Sequence, residues 1–109
     1  MHPLPPGAKT IRMTPDALRY SAHADAAPPP ALAGPLVALW WDARGDWTRA
    51  HAAAQAGEDA DSAWVHAHLH REEGDLANAG YWYRRAGRPP ATGPLPEEWA
   101  AIAGALLAR

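Results

Sequence analysis

The stretch that decides the fold runs from residue 64 to residue 87 and reads WVHAHLHREEGDLANAGYWYRRAG. The pair Gly74-Asp75 divides it into two segments that contain no proline and many good helix formers. Glycine often follows the C-terminus of a helix, and an aspartate side chain accepts hydrogen bonds from the first backbone N–H groups of the next helix. The stretch therefore predicts two helices joined by a tight turn.

A second unit of the same kind lies 29 residues earlier in the chain. There Gly45-Asp46-Trp47 corresponds to Gly74-Asp75-Leu76, and alanines recur at matching positions on both sides of the turn. One helical hairpin cannot bury its apolar face alone. The repeat therefore predicts two hairpins that stack on each other.

The distribution of proline marks the limits of the helical region. Residues 36–88 contain no proline, and a proline inside a helix costs about 3 kcal/mol, so this span predicts packed helices. The predicted helices are residues 36–44, 47–56, 61 or 62 to 72, 76–86 and 96–107, and no segment alternates with the period of a strand. We predict an all-α bundle of about five helices, with residues 1–33 as a proline-rich arm and residues 34–109 as the helical domain.

Local signals refine the ends of these elements. In the arm, residues 1–12 are expected to be extended, and Thr14-Pro15-Asp16 has the composition of a helix start, which predicts a short sixth helix. Gly57 is expected to end the second predicted helix as a C-terminal cap, and Ser62 is expected to cap the third. In the last helix, Trp99, Ile102 and Leu106 form one apolar stripe that should close the stack, and a second exposed side of this helix would form a homodimer face.

The hairpins resemble the tetratricopeptide repeat. In the second unit, Ala67, Ala79, Tyr83 and Ala86 fall at the small, small, aromatic and small positions of that family. Small residues let two antiparallel helices approach, and the aromatic ring fills the space beside them. This resemblance covers roughly residues 36–90 and implies a helical-hairpin array.

A longer block resembles a family of small all-helical proteins from bacteria and fungi. The residues that carry this resemblance are the block 64–75, then Asn78-Ala79 and the block 81–87, with Gly45-Asp46-Trp47 and Ala50-His51 upstream. The resemblance implies a shared compact fold and transfers no catalytic role.

Composition excludes several functional classes. The chain has 109 residues and a formal net charge of -2, so we expect neither a basic face nor nucleic-acid binding. It has no run of about 18 apolar residues and no pattern of a signal peptide, and we therefore expect no membrane contact. Without cysteine it lacks disulfides, thiolate catalysis and zinc-finger chemistry. We predict a cytoplasmic protein.

Histidines supply the first candidate site. His66 and His70 are four residues apart on the third predicted helix, so their rings share a face, and His68 points to the opposite side. His51 on the preceding helix is the best candidate for a third ligand of a transition metal, the one cofactor that the chain suggests. A carboxylate ligand could come from a small set: Asp42, Asp46, Glu72 and Glu73. The alternative is that His66 and His70 are hydrogen-bonding groups of the core.

Aromatic and arginine residues supply the second candidate site. Adjacent aromatic residues on one helix cannot all face inward, so some rings must lie at a groove or surface, and tryptophan, tyrosine and arginine dominate interaction hot spots. The candidate binding residues are Trp47, Trp64, Arg71, Asn78, Tyr81, Trp82 and Arg85.

These two sites lead to three functional hypotheses. The first is a non-enzymatic interaction module with a protein or peptide partner, or with a second copy of itself. The second is a protein that binds a metal or small ligand through His51, His66 and His70. The third, less favoured, is an enzyme that uses the same histidines as acid–base groups.

Overall fold

The fold is an all-α bundle, as predicted, and a computed structural model describes residues 13–109 of it. Six helices and no strand occur in these residues, so the sixth helix expected in the arm is present, whereas the extended segment predicted for residues 1–12 lies outside them. The helices are α1 (Pro15–Ala24), α2 (Gly34–Arg44), α3 (Trp47–Gln55), α4 (Ala60–Glu72), α5 (Leu76–Ala86) and α6 (Leu95–Leu107).

Several helices begin at the side-chain caps that the sequence predicts. Thr14 accepts a hydrogen bond from the backbone N–H of Ala17, and Asp46 and Asp75 cap α3 and α5 in the same way. The start predicted for α4 is wrong, because the cap is Asp59 and not Asp61 or Ser62. The Ser62 side chain is buried, and its hydroxyl donates to the Asp59 carboxylate at 2.5 Å.

The Gly-Asp turns require glycine for their backbone conformation. Gly45 and Gly74 adopt positive φ angles of 90° and 85°, in the left-handed region that favours glycine. The same role predicted for Gly57 is wrong, because the positive-φ glycines among residues 13–109 do not include it. A Cβ atom at Gly57 would lie 2.2 Å from Ser62 Oγ, so this position needs glycine because α4 approaches it closely.

The two hairpins pack as antiparallel pairs, α2 with α3 and α4 with α5. The main core lies where α1, α2, α4 and α6 meet, around the fully buried side chains Leu18, Leu39, Trp40, Leu69 and Ile102. A smaller core between α4 and α5 contains Ala67, Ala79 and Tyr83. The apolar stripe predicted on α6 is buried, because Trp99, Ile102 and Leu106 are all less than a tenth exposed.

Indole hydrogen bonds set the positions of neighbouring helices. Trp40 donates from Nε1 to Ser21 Oγ at 3.0 Å, which joins α2 to α1. Trp99 donates to the carbonyl of Leu39 at 3.0 Å, which joins α6 to α2. Each ring therefore contributes a large buried area together with one directional contact.

The left-handed turn glycines provide a test of this fold. We expect Gly74→Ala to lower the free energy of unfolding by about 1–2 kcal/mol, because a Cβ disfavours positive φ. Urea unfolding measures this change. The matched control is Gly34→Ala at the first position of α2, where no atom lies within 4 Å of an added Cβ. Equal effects of the two substitutions would contradict the argument.

Candidate metal centre

Three histidines from two helices converge as the sequence predicts. His51 lies on α3, and His66 and His70 lie one turn apart on α4. The Nε2 atoms of His51 and His66 are 3.0 Å apart, and one ring nitrogen from each of the three histidines lies within 4.8 Å of the others. His66 and His70 are buried, whereas His51 is partly exposed, so the cluster meets solvent on its α3 side.

Aromatic rings hold these imidazoles in place. The Trp47 indole stacks on His51 with the ring centroids 4.8 Å apart, and the Trp82 indole stacks on His66 at 3.8 Å. Trp47 is itself fixed, because its Nε1 donates to the carbonyl of Leu69 at 2.9 Å. Each indole lies flat against one imidazole and restricts its rotation. The positions of His51 and His66 are therefore fixed before any ligand binds.

Glu73 orients the third histidine. Its Oε1 lies 2.6 Å from His70 Nδ1, so Nδ1 donates a hydrogen to the carboxylate and Nε2 is the ring nitrogen left for another contact. Metal-binding histidines usually have such a carboxylate partner, which fixes the tautomer and makes the ligand nitrogen more basic. The Asn78 amide lies 3.4 Å from the same Nε2.

The electrostatics of the cluster favour the uncharged form of two of its imidazoles, His51 and His66. Burial lowers the pKa of His66 to about 4, with a further contribution from the neighbouring His51 and His70. Burial and the proximity of His70 also lower the pKa of His51. Neutral imidazole is the form that ligates metals, so these two rings are ready to bind near neutral pH.

The carboxylates considered for this site lie in three places. Glu73 joins the cluster through His70, and Asp46 caps α3. Asp42 and Glu72 lie with His68 on the other side of α4. The cluster thus offers imidazole nitrogen as its ligand and a carboxylate behind one ring.

His68 faces away from the cluster, as predicted, and forms a second polar centre. Its Nδ1 lies 2.7 Å from Glu98 Oε1, and its Nε2 lies 3.3 Å from Asp42 Oδ2. Arg71 donates to Glu98 Oε1 at 3.0 Å, and the Tyr83 hydroxyl donates to Glu98 Oε2. We call Asp42, His68, Arg71, Tyr83 and Glu98 the buried network.

Opposite charges in the buried network stabilise the ionised forms of one another. Burial disfavours the His68 cation, but hydrogen bonds and charge from Asp42 and Glu98 outweigh it and raise the pKa of His68 to about 9. Burial likewise disfavours the Glu98 carboxylate, yet its contacts with His68 and Tyr83 hold its pKa below the usual range. Burial and the nearby Asp42 raise the pKa of Glu72 to about 8.

The residues predicted to bind a partner are dispersed. Trp47 and Trp82 wall the histidine cluster, Asn78 lies beside His70, and Arg71 is held in the buried network. Trp64 is half-buried beneath the Arg88 guanidinium, which lies 3.8 Å from its ring centroid. Tyr81 and Arg85 are exposed on α5 and contact each other.

Sequence reasoning missed the buried network. One signal was present, because Glu98 precedes Ile102 and Leu106 by four and eight residues and thus lies on the buried stripe of α6. A carboxylate in such a stripe needs a buried partner. The partner is on α4, which only the packing of α6 reveals.

No protein-family model, curated protein or solved structure matches the chain. None of the helices in residues 13–109 has the length and apolar character needed to cross a membrane.

The raised pKa of His68 predicts a loss of stability at alkaline pH. The contribution of this group is fully present below about pH 6.5, the pKa of unfolded histidine, and is lost as the pH rises through about 9. Over this window we expect the free energy of unfolding to fall by up to about 3 kcal/mol. Urea unfolding at several pH values measures the slope.

Two variants define the source of this slope. His68→Gln should be less stable at neutral pH and should show a smaller decline between pH 6.5 and 9, because only the part that comes from Glu72, whose pKa is raised to about 8, remains. His23→Gln alters an exposed histidine on α1 and should retain the decline of the unmodified protein. A His68→Gln variant with the full decline would contradict the assignment.

Proposed function

We propose that this protein binds a transition metal ion through His51, His66 and His70. The observation that carries the proposal is the convergence of three imidazoles from α3 and α4, with ring nitrogens within 4.8 Å of one another. The carboxylate behind His70 and the indoles stacked on the other two rings support the same function. Histidines that only fill space in a core would need neither the carboxylate nor the stacked indoles.

Ligand chemistry selects the class of metal. The site offers three nitrogens and no thiolate, and imidazole suits zinc, copper, nickel and iron. Affinity of such a site rises along the series to Cu²⁺ and falls again at Zn²⁺. Oxygen-preferring cations such as Mg²⁺ and Ca²⁺ are disfavoured, because no carboxylate belongs to the three-histidine set.

Two of the three ring nitrogens already lie near the spacing that a tetrahedral ion requires. Metal–nitrogen bonds of about 2.0–2.1 Å place two ligand nitrogens about 3.3 Å apart. The nitrogens of His51 and His66 are 3.0 Å apart, close to this spacing. Three protein ligands leave a fourth position, which the partly exposed side at His51 places near water.

Metal analysis of untagged protein tests the proposal. We expect about one equivalent of Zn²⁺ or Cu²⁺ per chain after reconstitution and desalting, measured by mass spectrometry. His51→Ala should abolish stoichiometric binding while the fold persists, because His51 is partly exposed and α3 contributes few buried residues. His23→Ala is the matched control, because it removes an exposed histidine outside the cluster, and it should bind one equivalent.

Glu73→Gln tests whether the carboxylate behind His70 contributes to metal binding. Loss of the carboxylate behind His70 should weaken metal affinity about 10- to 100-fold in a chelator competition. Glu58→Gln removes the same charge from an exposed position outside this contact and should leave affinity unchanged. Absence of bound metal in the unmodified protein, with normal folding, would leave these histidines as structural groups of the core.

An interaction surface on α5 is a second candidate function. Tyr81 is 45% exposed, Trp82 is half-buried, and the Arg85 guanidinium lies over both rings. Tyrosine, tryptophan and arginine side chains that lie together at a surface are typical of interaction hot spots. The expected partner is a protein, a peptide or a second copy, and the expected compartment is the cytoplasm.

Sedimentation velocity and cross-linking test this surface. We expect self-association or a cross-linked partner that Tyr81→Ala weakens at least about tenfold, the loss typical of a hot-spot residue. Tyr20→Ala is the matched control, because Tyr20 is 74% exposed on α1 and away from α5. Equal effects of the two substitutions, or no association at all, would remove this candidate.

A further inference from the structure

The outer face of α5 has no neighbouring helix in the described part of the chain. The backbone of α5 lies beside that of α4 alone, although Tyr83 reaches α6 through its hydroxyl. Two of the three large apolar side chains that are exposed in residues 13–109 lie on this helix, Leu76 at 68% and Tyr81 at 45% exposure. Exposed apolar groups concentrated on one helix indicate an interaction surface.

The first hairpin shows how the equivalent helix is covered. Helix α3 has the same place in its hairpin as α5, and one side of it packs against α4 of the next hairpin. Trp47, the counterpart of Leu76 at the 29-residue spacing, lies on that side and donates to the carbonyl of Leu69 on α4. No further hairpin follows α5 in the described residues, so the face around Leu76 is open.

Charge is separated along α5. Arg84, Arg85 and Arg88 are exposed at its C-terminal end and form no ion pair in the described part of the chain. Each of the other arginines there contacts a carboxylate or a backbone carbonyl. Glu73 and Asp75 are exposed at the N-terminal end of α5. The helix therefore has an acidic end, a basic end and an apolar centre, so it is complementary to an antiparallel copy of itself.

We propose that a second copy of this chain occupies the α5 surface, a step that rests on the interaction function proposed for that surface. In this two-fold symmetric dimer the two α5 helices are antiparallel, with Gly80 near the symmetry axis. Gly80 lies near the middle of α5, and its lack of a side chain lets two backbones approach. Asp75 and Arg85 lie five residues before and after it, about 7.5 Å along the helix in each direction. Asp75 of each copy therefore lies opposite Arg85 of the other.

A parallel arrangement of two α5 helices is less favourable. It would place the three arginines of one copy beside those of the other, and like charges in close contact repel. Antiparallel helices bring the positive end of one macrodipole beside the negative end of the other. Leu76 then contacts the aliphatic stem of the partner's Arg84, which covers apolar surface while its guanidinium stays in water.

The Arg85 guanidinium is already oriented for a carboxylate. It lies 5.3 Å from the Trp82 ring centroid, and it donates one hydrogen bond to the Tyr81 hydroxyl at 3.1 Å. These contacts use one face of the group and one of its N–H donors. The remaining donors lie at the edge of the guanidinium plane, which is the geometry that a carboxylate accepts.

Sedimentation equilibrium of chelator-treated, metal-free protein measures the dimer. Removal of metal prevents surface histidines of two copies from sharing an ion. Because α5 has only 11 residues, the interface is small, and we expect a Kd of about 10–1000 µM. Arg85→Glu reverses the charge opposite Asp75 and should weaken the dimer at least about tenfold.

Gly80→Gln separates loss of the dimer from loss of the fold. A Cβ atom at Gly80 would lie 3.6 Å from Arg84 Nη1, which is an ordinary contact, and glutamine is a better helix former than glycine. Urea unfolding should therefore show a monomer at least as stable as the unmodified one, while the Kd of the dimer rises at least about tenfold. Ala17→Gln adds the same side chain to an exposed position on α1 and should leave the Kd unchanged.

Cysteine variants test the antiparallel arrangement, because the chain has no cysteine of its own. Leu76→Cys mixed with Arg84→Cys should form an intermolecular disulfide on mild oxidation. Each variant alone should form much less, because the two copies of either residue lie about 12 Å apart along the helices, beyond the reach of a disulfide.

Three results would overturn the dimer: no self-association of the unmodified protein, an unchanged Kd in Gly80→Gln, or equal disulfide yields from the mixture and the single variants. Binding of a different protein that Tyr81→Ala weakens, without self-association, would also overturn it. In that case the interaction surface on α5 would stand. Metal analysis is independent of all these outcomes.

Discussion

The bundle depends on one buried cation, the His68 imidazolium held between Asp42 and Glu98. These contacts join α4 to α2 and α6. Tyr83 connects α5 to the same network, because its hydroxyl donates to Glu98. An unpaired buried charge costs several kcal/mol, so the helices are stable together only where every partner is in place. Much of the apolar surface is alanine, which buries little area and fits many registers. Charge pairing and the indole hydrogen bonds therefore contribute specificity that alanine packing alone would lack.

Helix α4 presents the same residue type in two opposite electrostatic environments. His66 is buried among aromatic rings and other histidines, and this burial lowers its pKa to about 4. His68 is buried between carboxylates, and these raise its pKa to about 9. The separation follows from helical periodicity, because residues two apart face opposite sides. One face of α4 thus carries a histidine that burial keeps neutral, His66, while the other carries a charged one, His68.

Turn chemistry and periodicity were predictable because both are local. Asp46 and Asp75 cap their helices, and Gly45 and Gly74 take left-handed conformations, as the repeated Gly-Asp pairs predict. The misplaced start of α4 has a local cause as well, since Asp59, Asp61 and Ser62 are all competent caps and only one can occupy the cap position. The role of Gly57 was not predictable, because its need for glycine comes from an approach by Ser62.

The sequence by itself determined that the chain is helical, where its two tight turns lie, and that His66 and His70 share a face. These properties depend on backbone geometry within one helix, which spacing specifies. Only the tertiary structure decided that His51 reaches that face and that Glu98 meets His68. Distances between helices depend on how side chains interlock across their contacts, and spacing along one chain does not encode them.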